Sequence, residues 1–342
     1  MGGFLFALPK NRFLTCNRGV IQYAASCAVA WGAACLIGLG APAGTDRANA
    51  PVRLYDKITA IIQKDFYDDR ARTVEFSRKI LQLRAKVNTR EDAILQSRNV
   101  IKSLGDPYTW LLDRTIIERR EAKRSGLTFS EPVKMKVQTP RGPVEQPVRI
   151  VTERASVEAD WLDPDTVYLQ ISDFDNRMLQ TQLQRAVASF RIATAKSMVL
   201  DLRGNVGGFV NAAAQVLGFV MGTTPNVATL RMAKGVEPLS LNWPRSNPQF
   251  KGKLVVLVDH RSASASELVA AAVQKQHRGK IVGERTAGSN LWKGEREIEP
   301  GLVLYIAFAE WKTAPGKFQG VTPDVVVQGP KEQLRAALKL LR

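Results

Sequence analysis

Residues 254–267 read LVVLVDHRSASASE. The run from Leu254 to Val258 is apolar and rich in β-branched residues, as expected of a strand buried on both faces. A polar elbow follows, and a helix is expected from about Ser266. Three serines, Ser262, Ser264 and Ser266, stand at alternate positions, separated by alanines too small to crowd them. A serine between a buried strand and a helix N-terminus presents its hydroxyl beside backbone N–H groups and the positive helix end. Charge developing on a bound oxygen is stabilised there. The same spacing also fits a plain strand-to-helix turn with serine caps. The surrounding chain has to decide between them.

On either side the pattern repeats. A strand at Ser197–Leu202 runs into Asp201-Leu202-Arg203-Gly204-Asn205-Val206-Gly207-Gly208, and an apolar helix follows from about Phe209 to Met221. A strand at Lys280–Val282 runs into Gly283-Glu284-Arg285-Thr286. Further upstream a strand at Val167–Ile171 precedes a helix over Met178–Ala193. Strands alternating with helices predict an α/β core with largely parallel pairing. The end of the chain returns to β hairpins, Leu302–Phe308 and Val325–Val327, before an amphipathic helix carrying Leu334, Leu338 and Leu341.

The first half is different. From Pro51 to about Leu112 the periodicity is helical, with Leu54, Ile58, Ile61 and Ile62 on one face. Thr89 can cap a helix whose third residue is Asp92 and which stops at Gly105. Residues 113–130 are dominated by charge, Arg119, Arg120, Glu121, Lys123 and Arg124 among them. Alternating apolar residues at Val133–Val137 and Val148–Val151 flank a Pro-Arg-Gly-Pro turn and predict a hairpin. The expected division is a leader over 1–50, a helical domain over 51–112, a charged linker and hairpin over 113–165, a core over 166–328 and a terminal helix over 329–342.

The chain has 342 residues, 45% of them hydrophobic and 24% charged, which is the composition of a globular protein. All three cysteines, Cys16, Cys27 and Cys35, lie in the first 50 residues, so the body uses neither disulfides nor a thiol nucleophile. Gly19 to Thr45 carries no charge, Lys10, Arg12 and Arg18 precede it, and Ala48-Asn49-Ala50 has the form of a cleavage site. The run is also long enough to span a bilayer. A cleaved signal peptide and an uncleaved membrane anchor both fit, and both place the body outside the cytoplasm, in the periplasm or an equivalent compartment. Without residues 1–50 the chain keeps 45 basic and 31 acidic residues, a formal +14. That balance fits contact with an anionic membrane surface, and equally an ordinary solvated basic surface. Nucleic acid is not an expected partner behind an export signal.

Six segments now stand in order: DPYT at 106–109, VYLQISDF at 167–174, DLRGNVGG at 201–208, SASASE at 262–267, GERTAG at 283–288 and PGKFQGVTPDVVV at 315–327. Together they resemble the carboxyl-terminal processing peptidases, also called tail-specific proteases, over about residues 52–328. The resemblance implies a helical N-terminal domain joined to an α/β core with a crotonase-like β-superhelix. It implies hydrolysis of protein substrates by a Ser–Lys dyad, with no cofactor. Carried over by position, Ser264 is the nucleophile, and the N–H of Ala265 with that of Gly207 or Gly208 forms the oxyanion hole. Glycine also suits that place on physical grounds, because it lets backbone N–H groups turn toward a ligand.

Two departures stand out. Where the family places the dyad lysine, this chain has Ser289, in Ala287-Gly288-Ser289-Asn290. Four residues on stands Lys293, and positions four apart on a strand face the same side. Lys293 therefore reads either as a relocated base for Ser264, its pKa lowered by burial among apolar groups, or as a surface lysine on a hairpin edge. Second, only 57 residues separate Thr109 from Val167, too few for the PDZ domain the family usually carries there.

His260 and His277 are the only histidines. For His260 to serve Ser264, the turn between them would have to fold the ring back onto the hydroxyl. Asp259 is placed to orient the elbow or to pair with Arg261. Two histidines, no cysteine in the body and no HExxH pattern give no expectation of a metal. The function expected is an exported serine endopeptidase acting on envelope proteins. The competing expectation is a catalytically inactive relative that binds peptides or scaffolds the envelope. The sequence carries no signal for the oligomeric state.

Overall fold

The computed structural model describes residues 49–118 and 155–342 in full, with the backbone of short strands at 5–8, 12–13, 127–129, 133–139, 142–148 and 151–153. Apart from the strands at 5–8 and 12–13 and residues 49–50, the leader read over 1–50 lies outside the described residues, as does the charged stretch 119–124. Among the described residues no helix is long and apolar enough to cross a membrane.

The N-terminal layer is helical because its apolar residues recur every three to four positions. Helix α1 (Ala50–Asp65) has proline in its first turn and buries Leu54, Tyr55, Ile58 and Ile62 on one side. Helix α2 (Val74–Arg84) follows a cap in which the Thr73 hydroxyl accepts from the Phe76 N–H. Helix α3 (Arg90–Ser103) starts in the expected capping box of Thr89 and Asp92 and gives way to Gly105, at φ 62°. Strand β1 (Trp110–Asp113) follows.

The central sheet has six strands. It comprises β2 (Val157–Trp161), β3 (Thr166–Ile171), β4 (Ser197–Asp201), β7 (Lys253–Val258), β8 (Lys280–Gly283) and β11 (Val325–Val326). Their spatial order is β11-β8-β7-β4-β3-β2, with all pairs parallel except β2 against β3. Strand β4 is buried at every position, and β7 at every position after Lys253, which is why both read as unbroken apolar runs. Three helices, α4 (Leu179–Ser189), α5 (Val210–Met221) and α6 (Ala265–Lys275), make the crossovers. The amphipathic helix α7 (Pro330–Leu341) covers part of the sheet, with Ala337 and Leu341 against Val199, Val255, Leu257 and Val282.

A second sheet is antiparallel. Its path is β9 (Leu291–Glu299), β10 (Leu302–Lys312), β5 (Thr224–Met232), β6 (Gly235–Asn242) and then the strands at 5–8 and 12–13, while β1 also pairs with β10. The N-terminal helices pack onto this sheet. Tyr55, Ile58, Phe66, Val100 and Leu104 share one apolar cluster with Leu291, Ile298, Leu304 and Ile306. The fold is thus α/β with a helical N-terminal region, as expected.

Some elements depart from the expectation. Val325–Val326 forms no hairpin; it adds to the central sheet parallel to β8, because Val327 N–H donates to the Gly283 carbonyl at 2.9 Å. The helix expected to reach Ala193 ends at Ser189 and is followed by a 3₁₀ turn at Ile192–Thr194. The strand expected at 133–137 forms a hairpin with 142–148, not with 148–151, and residues 151–153 pair with 127–129 instead.

Candidate active site

Two loops at the carboxyl ends of β4 and β7 meet. Parallel pairing of these neighbours, with Asp201 opposite Leu257, brings the following loops side by side, where open α/β sheets place their ligands. From β4 comes the stretch 202–209. Asn205 is fully buried and ties three segments together. Its Nδ2 donates to the Ile171 carbonyl at 2.8 Å, and its Oδ1 accepts from the Gly207 N–H at 2.9 Å. Its carbonyl accepts from Ala263 N–H at 3.0 Å and from the Ser266 hydroxyl at 2.9 Å.

The two glycines are set by close approach. A Cβ on Gly207, at φ 92°, would lie 2.6 Å from the Ala263 carbonyl oxygen, 2.8 Å from Ser264 Cβ and 2.9 Å from Ala265 N. A Cβ on Gly208, at φ 145°, would lie 2.2 Å from backbone atoms of Phe174 and Asp175. Gly208 sits in a parallel bridge with Phe174 whose bonds are made by its neighbours: Phe174 N–H donates to Gly207 O, and Phe209 N–H donates to Phe174 O. The Gly208 N–H therefore faces the other way. Among the described residues neither it nor the Ala265 N–H, the first of helix α6, has a hydrogen-bond partner.

From β7 comes the elbow. Asp259 organises it: Oδ1 accepts from Gly204 N–H at 2.9 Å and from Arg261 and Ser262 N–H at 3.0 Å each. The alternating serines then separate by role. Ser262 is fully buried and donates its hydroxyl to the Leu202 carbonyl at 2.9 Å, and the equally buried Ser266 donates to Asn205. Ser264 alone keeps partial exposure. It forms the N-cap of α6 at φ 54°, ψ −111°, a conformation costing on the order of 1–3 kcal/mol for a residue with a side chain. Its own N–H is taken by Glu267 Oε2 at 2.8 Å.

Of the residues singled out in the sequence, Ser264, Ala265, Gly207 and Gly208 come together. Ser289 lies on the neighbouring turn, held through its backbone N–H, which donates to Glu267 Oε2 at 2.7 Å. Lys293 is half-buried on β9, with its ammonium 4.6 Å from the centre of the Tyr108 ring, a contact that attracts a cation. His260 points elsewhere: its largely exposed ring has Nδ1 3.1 Å from Glu284 Oε2. Sequence reasoning passed over Glu267, although Ser264-x-x-Glu267 has the form of a capping box that could have drawn notice. It also passed over Asn205, and over Tyr108 as the partner of Lys293.

With this geometry established, the relatives can be set beside it. Residues 165–327 match peptidase family S41. This stretch is a peptidase family S41 domain. A probable CtpA-like serine protease of Staphylococcus aureus is 28% identical over 198 residues, covering 56% of this chain and 40% of that protein. Its counterpart in Staphylococcus epidermidis is 24% identical over 220 residues, covering 59% of this chain and 45% of that one. The chain thus spans less than half the length of the curated relatives it matches. Among solved structures, the photosystem II D1 C-terminal processing protease superposes with a TM-score of 0.64 at 17% identity, over 85% of this chain and 97% of that one. A lipoprotein from Streptococcus agalactiae superposes at 0.61 and 13% identity, over 90% and 99%. At such identities the likeness concerns the fold. The S41 domain begins beside β3 and ends just past β11, so it takes in both loops of the candidate site and the turn at 286–289.

Proposed function

We propose that this protein is a serine peptidase in which Ser264 is the nucleophile. The observation that carries the reading is the seating of Ser264: a partly exposed serine on a positive-φ elbow at the N-terminus of α6, in contact with Gly207, with two unpartnered N–H groups beside it. Attack by its hydroxyl oxygen on a peptide carbonyl carbon places negative charge on the carbonyl oxygen. The N–H groups of Gly208 and Ala265 donate to that oxygen, and the helix dipole of α6 supports them. The Gly207 N–H, spent on Asn205, supports the arrangement without donating to the oxyanion. Collapse of the tetrahedral intermediate breaks the C–N bond, releases the protonated amine and leaves an ester on Ser264, which water hydrolyses in the second half of the reaction.

The hydroxyl proton needs an acceptor, and Lys293 is the base proposed here. It stands four residues beyond the substituted position Ser289 and is half-buried at the start of β9. To act it leaves the Tyr108 ring and comes within hydrogen-bond reach of Ser264, directly or through one water. Proteins of an extracytoplasmic envelope are the substrates proposed, because the basic, cysteine-free body follows an export-like leader.

The test uses the full-length protein with a fluorophosphonate label and an unfolded protein substrate. The wild type is expected to label and to cleave, and Ser264→Ala to do neither. Lys293→Met is expected to lower turnover by about 10²–10⁴-fold, the usual worth of general base catalysis. A wild type that folds but neither labels nor cleaves would point to a peptide-binding relative. Full turnover in Lys293→Met would remove Lys293 as the base and leave Ser264 in place.

A further inference from the structure

We propose that Glu267 is a positioning residue for the reaction, a buried carboxylate that holds the nucleophile elbow and the 286–289 turn in one register. The inference rests on the peptidase reading of Ser264. Glu267 is fully buried. Its Oε1 accepts from the Thr286 hydroxyl and the Gly288 N–H, both at 2.6 Å. Its Oε2 accepts from the Ser264 N–H at 2.8 Å and the Ser289 N–H at 2.7 Å. Backbone N–H groups only donate. The Thr286 oxygen already accepts from Val321 N–H at 2.7 Å, so its own proton lies toward Glu267. Four donors converge on two oxygens, a demand that a carboxylate satisfies and an amide, with two donors of its own, does not.

Two consequences follow for the chemistry. The bond from Ser264 N–H holds the nucleophile in its unfavourable backbone conformation and removes that N–H from competition for the oxyanion, leaving Ala265 and Gly208. The bonds from Gly288 and Ser289 are made by backbone, so the turn keeps its place whatever side chain stands at 289. That is how a serine can occupy the position where the family has its lysine without releasing the turn that leads to Lys293.

The experiment compares wild type, Glu267→Gln, Thr286→Val and Thr286→Ser for fluorophosphonate labelling rate, kcat, KM and Tm. In Glu267→Gln the amide turns donors toward N–H groups. The expected result is a labelling rate and kcat lower by about tenfold or more, with KM within about threefold, since misplacement of reacting groups falls on the chemical step. Thr286→Val, which removes one donor, is expected to fall in the same direction, and Thr286→Ser to restore the rate. Wild-type labelling and kcat in a folded Glu267→Gln would overturn the proposal. If Glu267→Gln does not fold, the Thr286 pair decides, and equal rates for valine and serine there overturn it. A purely structural role would lower Tm and leave the rates of the folded enzymes equal. An inert wild type overturns the peptidase reading and this inference with it, whereas a labelling wild type beside an equally fast Glu267→Gln overturns this inference alone.

Discussion

Ser264 is held outside the backbone regions that serine favours, and the groups holding it can be named: the Gly207 backbone on one side and the Glu267 carboxylate on the other. A methyl group at Gly207 would push against the Ala263 carbonyl and Ser264 Cβ and would sit at a positive φ. Gly207→Ala is therefore expected to cost about 1–3 kcal/mol in stability. Because the intruding carbon meets the elbow itself, the fluorophosphonate labelling rate should fall more than stability alone accounts for. Urea denaturation alongside labelling kinetics checks both, and an unchanged labelling rate would show that the elbow yields freely. At this scale the sequence was legible where signals were local. The alternation of serines and alanines marked three candidates, the family resemblance pointed to Ser264 by position, and burial sets it apart from Ser262 and Ser266 in the structure. Glu267 had a local signature as well, yet three of its four partners come from 19 to 22 residues further on, and no spacing rule reports that contact.

Among elements, the junction of β3, β4 and α7 is held by a polar cluster under the sheet. The Tyr168 hydroxyl donates to Asp201 Oδ2 at 2.5 Å, and Arg203 pairs with Asp201 while reaching the Pro330 carbonyl at 2.9 Å and Gln333 at 3.0 Å. Burial first, and then the Asp201 carboxylate, push the Tyr168 phenol well above its ordinary range. In the helical layer, burial and then neighbouring Asp56 push Tyr55 up to about 12, and its hydroxyl donates to the Ile80 carbonyl. Both phenols hold their protons more tightly folded than unfolded. Their contribution is complete below about pH 10, where unfolded tyrosine keeps its proton, and is lost as pH rises through the folded values. Stability is expected to fall above pH 10, by up to about 1.4 kcal/mol per pH unit for each phenol. Tyr55→Phe should flatten that slope over pH 10–12 while costing about 1 kcal/mol at pH 7 for the lost hydrogen bond. Denaturation across pH 7–11 decides, and parallel slopes for the two proteins would refute the assignment. The elements that were legible, β4, β7, α5 and α6, are those whose burial is nearly complete and whose runs are apolar. The hairpin of β5 and β6 went unread because its burial follows no regular alternation and prolines and charges are interspersed. Strand β11 is only two residues long and is recruited by a parallel neighbour.

Over the whole molecule the helical layer and the S41 domain share structure. Asp65 pairs with Arg296 at 2.7 Å, Arg231 reaches Asp68 at 3.1 Å and Asp69 at 3.2 Å, and Lys57 donates to the Ile298 carbonyl. The apolar cluster between helices and second sheet is continuous across that boundary. Tyr108 belongs to the segment that leaves the helical layer, and it is the residue against which Lys293 rests. A cation over an aromatic face is held by about 0.5–2 kcal/mol. If Lys293 is the base, Tyr108→Leu releases it, and labelling at neutral pH is expected to rise by about two- to tenfold. An unchanged rate would argue that the proton goes elsewhere. The α/β core and the helical N-terminal region could both be read from periodicity. The way they lean on one another could not, since that depends on pairs such as Asp65 and Arg296, 231 residues apart.

The clamp at Glu267 has a consequence for the life of the chain. Its partners are made in order: the elbow first, the turn some twenty residues later, and last Val321, whose N–H fixes the Thr286 hydroxyl that Glu267 binds. A nascent chain that has displayed Ser264 thus lacks the complete clamp until residue 321, 57 positions further on, has been synthesised and docked.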